Sequence, residues 1–359
     1  MKILYISPEH ISGTLPLFCE GHRRKGNIAR YVTLFPSRFG FPEDMQLKLR
    51  LHPDKSLIFN TRKYIRESRG EREGVELPGN PPFWRAGNIW ELAFFKFRDT
   101  LNAPKVKRFF DENNIWDYDI FHLEQGTGFL RDCRFLLELK QRRKKFVCFY
   151  HGTDVRNRGV YPIVHEISDL NLTSEIDLLE KYPGIRYLFL PINTDLVKPI
   201  PRDNEIVKIA HAARSRLNKG TDRIIQAVEN VSKKLPLEFI LMENKPHPEC
   251  MRIKSACDIY IDQIADKGGW GYGMSSVESL ALGSVVCTHM NPKCENFLPD
   301  HPFVNVDENN LEDKLIKLIE DKDFREETVK KGREWVVKRH DIKSVMDALY
   351  NYYEEYGII

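Results

Sequence analysis

The feature that most constrains this 359-residue chain is a recurring unit: a short, wholly apolar run that ends in a polar loop and leads into a helical segment. "KILYIS", "YDIFHLE" and "FVCFYHGTD" have this form in the first half, and "IVKIAHAA", "LEFILME", "DIYIDQI" and "SVVCTH" in the second. Strands without apolar–polar alternation are buried on both faces, and that is the mark of parallel sheets covered by helices. The unit is interrupted once, at "KPIPRDNE" (198–205), where two prolines and several charges read as a linker. At roughly 100–200 residues per domain the length fits two domains. The expected fold class is therefore α/β, with two Rossmann-like parallel-sheet domains. One spans 1–198 and the other 199–341, and a last helix of about 342–359 returns to the first. In such folds ligands bind where strands end at their carboxyl side. The loops to watch are 12–14, 124–128, 151–156, 211–219, 243–247 and 268–276.

Composition excludes several classes. The net charge of +3, from 55 basic and 52 acidic residues, is too balanced for a nucleic-acid binder. No apolar run is long enough to span a membrane, and "MKILYISPEH" is too short in its apolar part for a signal peptide. The seven scattered cysteines form no C-x-x-C pair and read as reduced thiols, which suits a cytoplasmic protein. A nicotinamide oxidoreductase would carry G-x-G-x-x-G after the first strand, and "SPEHISGT" offers a single glycine.

Three constellations carry chemistry. In "GWGYGMSSVESLALGSVV" (269–286), Gly271 and Gly273 open a loop, Ser275 and Ser276 suit a helix N-cap, and Gly283 ends the helix. The helix start presents free N–H groups and a positive dipole end to an anion. Glu278, one turn in, is suited to accept from hydroxyls. In "RSRLNKG", Arg214 or Arg216 grips oxygens as a fork and Lys219 adds a point charge, as a diphosphate leaving group requires. In "FYHGTDVR", His151 ends an apolar strand, and Asp154 and Arg156 are placed to pair with each other. Gly13 with Thr14, and Gly126 with Thr127, allow close approach of a ligand in their loops, although a turn glycine is the commoner reading. "DYD" at 117–119 precedes a strand and reads as a turn rather than a metal motif.

In the order of "HGTDVR", "LPINTD", "RSRLNKGTDRIIQAV", "DIYIDQI" and "GYGMSSVESLALGSVV", the chain resembles the family 4 glycosyltransferases of the GT-B fold. The resemblance implies two Rossmann-like domains facing a cleft, and transfer of a sugar from a nucleotide-sugar with retention, without a bound metal or other cofactor. It implies catalytic roles for His151 beside the donor sugar, for Arg214 and Lys219 at the diphosphate, and for Glu278 at the ribose. Donor contacts then fall on Gly13, Thr14, Arg216, Trp270, Gly273, Met274 and Ser275. Trp270 stands where the family has a first glutamate that touches the sugar, and it offers a stacking face instead. Ile192 stands where the family has an asparagine after Pro191. The implied acceptor is a glycan or a lipid-linked glycan, in cell-envelope or surface-polysaccharide synthesis. The alternative is a non-catalytic nucleotide-sugar-binding partner subunit.

"NIWELAFFKFRD" places Trp90, Phe94, Phe97 and Leu101 at helical spacing, with Lys96, Arg98, Lys105, Lys107 and Arg108 nearby. Such a stripe is more often core. The other expectation is peripheral contact of 89–110 with the inner face of a membrane.

Overall fold

A computed structural model describes residues 1–37, 40–52, 77–213 and 215–359. The chain forms two compact units, Met1–Leu188 with Ala348–Ile359, and Phe189–Asp347.

The first unit is built on a seven-stranded parallel sheet. Its strands are β1 (Lys2–Ser7), β2 (Ile28–Thr33), β3 (Met45–Gln46), β4 (Ile120–Glu124), β5 (Lys145–Tyr150), β6 (Leu170–Thr173) and β7 (Arg186–Tyr187), in the order β3-β2-β1-β4-β5-β6-β7. The helices are α1 (Leu15–Arg24), α2 (Ile89–Glu112), α3 (Arg134–Gln141), α4 (Pro162–Ile167) and α5 (Leu178–Lys181). Ile3, Leu4, Ile6, Phe121, Leu123, Phe146 and Cys148 are fully buried, which is why these strands read as unbroken apolar runs. The order reverses between β1 and β4, which pair in register from Ile3 with Ile120 to Ile6 with Leu123. A loop that leaves β1 and a loop that leaves β4 therefore open a crevice at their carboxyl ends.

The second unit holds a five-stranded parallel sheet. It comprises β8 (Val207–Ala212), β9 (Leu237–Met242), β10 (Ile259–Ile261), β11 (Val285–Thr288) and β12 (Val304–Asn305), in the order β12-β11-β10-β8-β9. Its helices are α6 (Arg216–Lys219), α7 (Thr221–Ser232), α8 (His247–Ala256), α9 (Met274–Ala281), α10 (Pro292–Phe297), α11 (Leu311–Glu320) and α12 (Lys322–His340). Here the reversal lies between β8 and β10. The last helix, α13 (Ile342–Glu355), contributes Tyr350 and Tyr353 to the first unit, where their hydroxyls meet His22 and His122. All seven cysteines are free thiols.

Candidate functional site

In the second unit the side chains converge on the β8–β10 reversal. Asp262 follows β10 and is fully buried. One of its carboxylate oxygens accepts from Lys219 Nζ at 2.5 Å. The other accepts from Ser276 Oγ at 2.7 Å and from the Gly273 N–H at 3.2 Å. Burial pushes the Asp262 carboxyl up, but the Lys219 ammonium and these hydrogen bonds outweigh it and hold the group below its ordinary value. Lys219 also donates to Gln263 Oε1 at 3.1 Å, which leaves one of its three N–H bonds uncommitted.

Helix α9 starts two residues earlier than a Ser275 cap would place it. Gly273 is the N-cap, Ser275 and Ser276 lie inside the first turn, and Asp262 anchors this turn by accepting the Gly273 N–H and the Ser276 hydroxyl. The N–H groups of Met274 and Ser275 have no partner among the described residues, so the helix still presents two donors. Ser275 is tied through Oγ to Lys254 Nζ at 2.6 Å and to the Tyr260 hydroxyl at 2.7 Å.

Glu278 is doubly paired. Its Oε2 accepts from Lys254 Nζ at 2.6 Å, and its Oε1 lies 2.8 Å from His247 Nε2. Burial alone would raise this carboxyl, but Lys254 and then His247 bring it down to about 2. A carboxylate accepts at about four lone-pair positions, so two remain for ligand hydroxyls.

Arg216 does not join this group. It is exposed and bonded to Glu243 at 2.8 Å and Asp222 at 2.8 Å, so its charge is met by neighbouring carboxylates. Arg214 lies outside the described residues. Lys293 Nζ sits 5.0 Å from the centre of the Trp270 ring, so one aromatic face is covered by a cation.

In the first unit, β4 and β5 place Glu124 and His151 together. Nε2 of His151 is 2.6 Å from Oε2 of Glu124, a buried carboxylate. Because a carboxylate only accepts, Nε2 carries a proton. Nδ1 has no partner among the described residues. The ring stacks on Phe149, with centroids 4.8 Å apart, and the His151 N–H donates to Asp154 at 2.8 Å. Burial lowers the His151 pKa, while Glu124, Asp154 and Glu175 raise it by more, so it ends above its ordinary value.

Asp154 and Arg156 do not pair as a motif of their own. Asp154 accepts the His151 and Val155 N–H groups, and Arg156 forms a buried fork with Asp177 at 2.5 and 2.6 Å and reaches Glu175 at 2.7 Å. Arg156 thus closes the loop from beneath.

The small-residue loops are explained by packing. Gly13 takes φ +72°, and a Cβ there would lie 3.1 Å from Phe41. A Cβ on Gly126 would lie 2.4 Å from the Tyr150 ring. The Thr14 hydroxyl is spent on Ser12, and it is buried. Asn193 caps its own turn through the N–H groups of Asp195 and Leu196. "DYD" runs from the end of a single 3-10 turn, Ile115–Asp117, into β4, and Asp119 accepts the Lys2 N–H. Among the described residues no group of three or more His, Cys, Asp or Glu side chains is placed to hold a metal ion.

Sequence reading named neither Asp262 nor Lys254, and it reached Glu124 and His247 only as members of the strand-end loops 124–128 and 243–247. Three of them had a weak signal. Two are carboxylates that end apolar strands, and Lys254 is a lysine beside the apolar positions of a short helix.

No protein-family model matches the chain, and no curated protein matches it. Solved structures do. Staphylococcus aureus TarM, in complex with fondaparinux, alpha-GlcNAc-glycerol and UDP, aligns with 98% of this chain and 99% of its own, with 9% identity and a TM-score of 0.58. The N-terminal domain of Candida albicans trehalose-6-phosphate phosphatase aligns over 99% and 97%, with 10% identity and a TM-score of 0.60. The glycosyltransferase SnogD of Streptomyces nogalater aligns over 98% and 100%, with 15% identity and a TM-score of 0.51. Identities this low speak to fold, and fold alone does not fix function. With two parallel sheets, each reversing once and each covered by helices, the chain has the two-domain Rossmann-like fold of the GT-B type.

Proposed function

We propose that this protein is a retaining glycosyltransferase that moves a sugar from a nucleoside-diphosphate sugar to a glycan or glycolipid acceptor, in cell-envelope or surface-polysaccharide synthesis. The observation that carries the reading is the clustering at the β8–β10 reversal. Lys219 has a spare N–H, α9 offers two unpartnered N–H donors at its start, and Glu278 has acceptor positions left. A diphosphate needs cationic and N–H donors, and a ribose needs a hydroxyl acceptor. TarM, of like fold, was solved with UDP, which supports a nucleotide as the ligand of this architecture.

In this reading Lys219 and the α9 N–H groups meet the charge that grows on the diphosphate as the sugar–phosphate bond breaks. Arg214 adds a second cation. Glu278, kept ionised by Lys254 and His247, accepts from the ribose hydroxyls. Trp270 stacks on the sugar. His151, oriented by Glu124, presents Nδ1 to the transferred sugar in its role beside the reacting carbon. The first unit serves the acceptor. The reaction needs no bound metal or cofactor, because fixed cations and helix N–H groups take the charge.

The test is a thermal-shift screen of nucleotide-sugars followed by turnover. A donor that binds raises the apparent stability. Transfer or donor hydrolysis supports the enzyme, whereas binding without turnover, with any acceptor, supports the partner-subunit reading.

A further inference from the structure

The apolar stripe of α2 is not core. Trp90 is 78% exposed, Ile89 74%, Phe97 62% and Leu101 36%. The buried face is the opposite one, made by Phe95, Arg98, Asp99, Asn102, Val106, Phe109 and Phe110. On a helix Trp90, Phe97 and Leu101 stand one above another, with Ile89 at the border of the stripe.

This end of the helix is firmly built. Asn88 Oδ1 accepts the Glu91 N–H at 2.7 Å, and Glu91 Oε2 accepts the Gly87 N–H at 2.7 Å. The Asn88 cap and the return bond from Glu91 to the residue before it hold the first turn closed, so the exposed side chains are displayed on a formed helix. A contiguous apolar patch of this kind marks an interaction site.

Charge identifies the occupant. Lys96, Lys105, Lys107 and Arg108 are all exposed, and no exposed acid lies between Leu92 and Arg108. A second copy of the chain would bring these like charges together across a two-fold axis. Protein interfaces also tend to exclude lysine from their cores. Tryptophan and phenylalanine flanked by lysines instead match the boundary between acyl chains and anionic headgroups.

We propose that the outer face of α2 docks the protein on the surface of an anionic lipid bilayer, with Trp90 and Phe97 at the acyl boundary and the basic residues at lipid phosphates. This proposal stands on α2 alone and is independent of the donor chemistry.

The test is co-sedimentation of the full chain with vesicles of phosphatidylcholine, with and without phosphatidylglycerol. The expected result is binding to the anionic vesicles only, weakened by salt. Trp90→Ser/Phe97→Ser and Lys96→Glu/Lys107→Glu should each lower partitioning by about tenfold or more. Both variants alter exposed side chains, so unfolding temperature and nucleotide binding should be unchanged. The proposal is overturned if the wild type ignores anionic vesicles or binds neutral ones equally. It is also overturned if both variants bind as the wild type does, or if the wild type is a dimer that Trp90→Ser/Phe97→Ser turns into a monomer.

Discussion

His151 Nε2 lies 2.6 Å from Glu124 Oε2, and this contact decides which ring nitrogen faces outward and how strongly the ring holds its proton. The carboxylate raises the His151 pKa above its ordinary 6.5 against the effect of burial. Glu124→Gln keeps the shape and removes the charge. His151 should then titrate lower, as read from its ring C–H resonance in NMR. A raised folded pKa means that the pair's contribution to stability is full below 6.5 and fades as pH rises through the folded value. The stability gap between wild type and Glu124→Gln should therefore narrow at alkaline pH. An unmoved His151 titration would show that Glu124 does not govern it.

Lys219 and Asp262 form a partly buried pair, so removing one partner leaves the other uncompensated. Lys219→Ala should cost about 3 kcal/mol of stability in urea unfolding, since breaking such pairs is costly. Adding Asp262→Asn should recover part of that loss, because the stranded carboxylate is gone. A double variant less stable than Lys219→Ala would mean that Asp262 acts through Ser276 and Gly273 alone.

Glu278 is held at about 2, below its ordinary 4.5, chiefly by Lys254 against the pull of burial. A depressed pKa contributes stability that is present above 4.5 and is lost as pH falls toward 2. Lys254→Met should therefore cost about 3 kcal/mol near neutral pH, and the difference from wild type should shrink in acid. A difference independent of pH would assign Lys254 a packing role only.

Chelation gives a further check. Turnover in EDTA should equal turnover without it, because in the proposed reaction Lys219 and the α9 N–H groups take the charge that a cation would otherwise meet. Loss of activity restored by manganese would refute this.

The sheets were legible because their strands are buried on both faces and so read as apolar runs. The stop of α9 at Gly283 and the strand-end loops followed from turn chemistry, whereas the start of α9 did not, because Gly273 and not a serine is the N-cap. What periodicity could not show was pairing across the chain. Asp262 meets Lys219 from 43 residues away and Glu124 meets His151 from 27, and neither distance leaves a local signature. Helix α2 shows the same limit in another form. Its core face holds Asp99, whose Oδ2 accepts the Asp132 N–H, and Asn102, which meets both backbone groups of Arg50. The buried face thus mixes these polar residues with Phe95, Val106, Phe109 and Phe110, while Trp90, Phe97 and Leu101 lie outside, where a count of apolar positions would not put them.

In the proposed reaction the second unit binds the nucleoside diphosphate and His151 serves the sugar. Calorimetric titration of UDP, GDP and ADP into wild type, Lys219→Ala, Glu278→Gln and His151→Ala tests it most directly, with folding checked by circular dichroism. At least one nucleotide should bind. Its affinity should fall by about tenfold or more in Lys219→Ala and Glu278→Gln, since hydrogen bonds to charged groups contribute roughly 1.5–3 kcal/mol. His151→Ala should keep that affinity while turnover drops by about a hundredfold. Failure of all three nucleotides to bind, or a His151→Ala variant that loses nucleotide as severely as Lys219→Ala, would contradict the account.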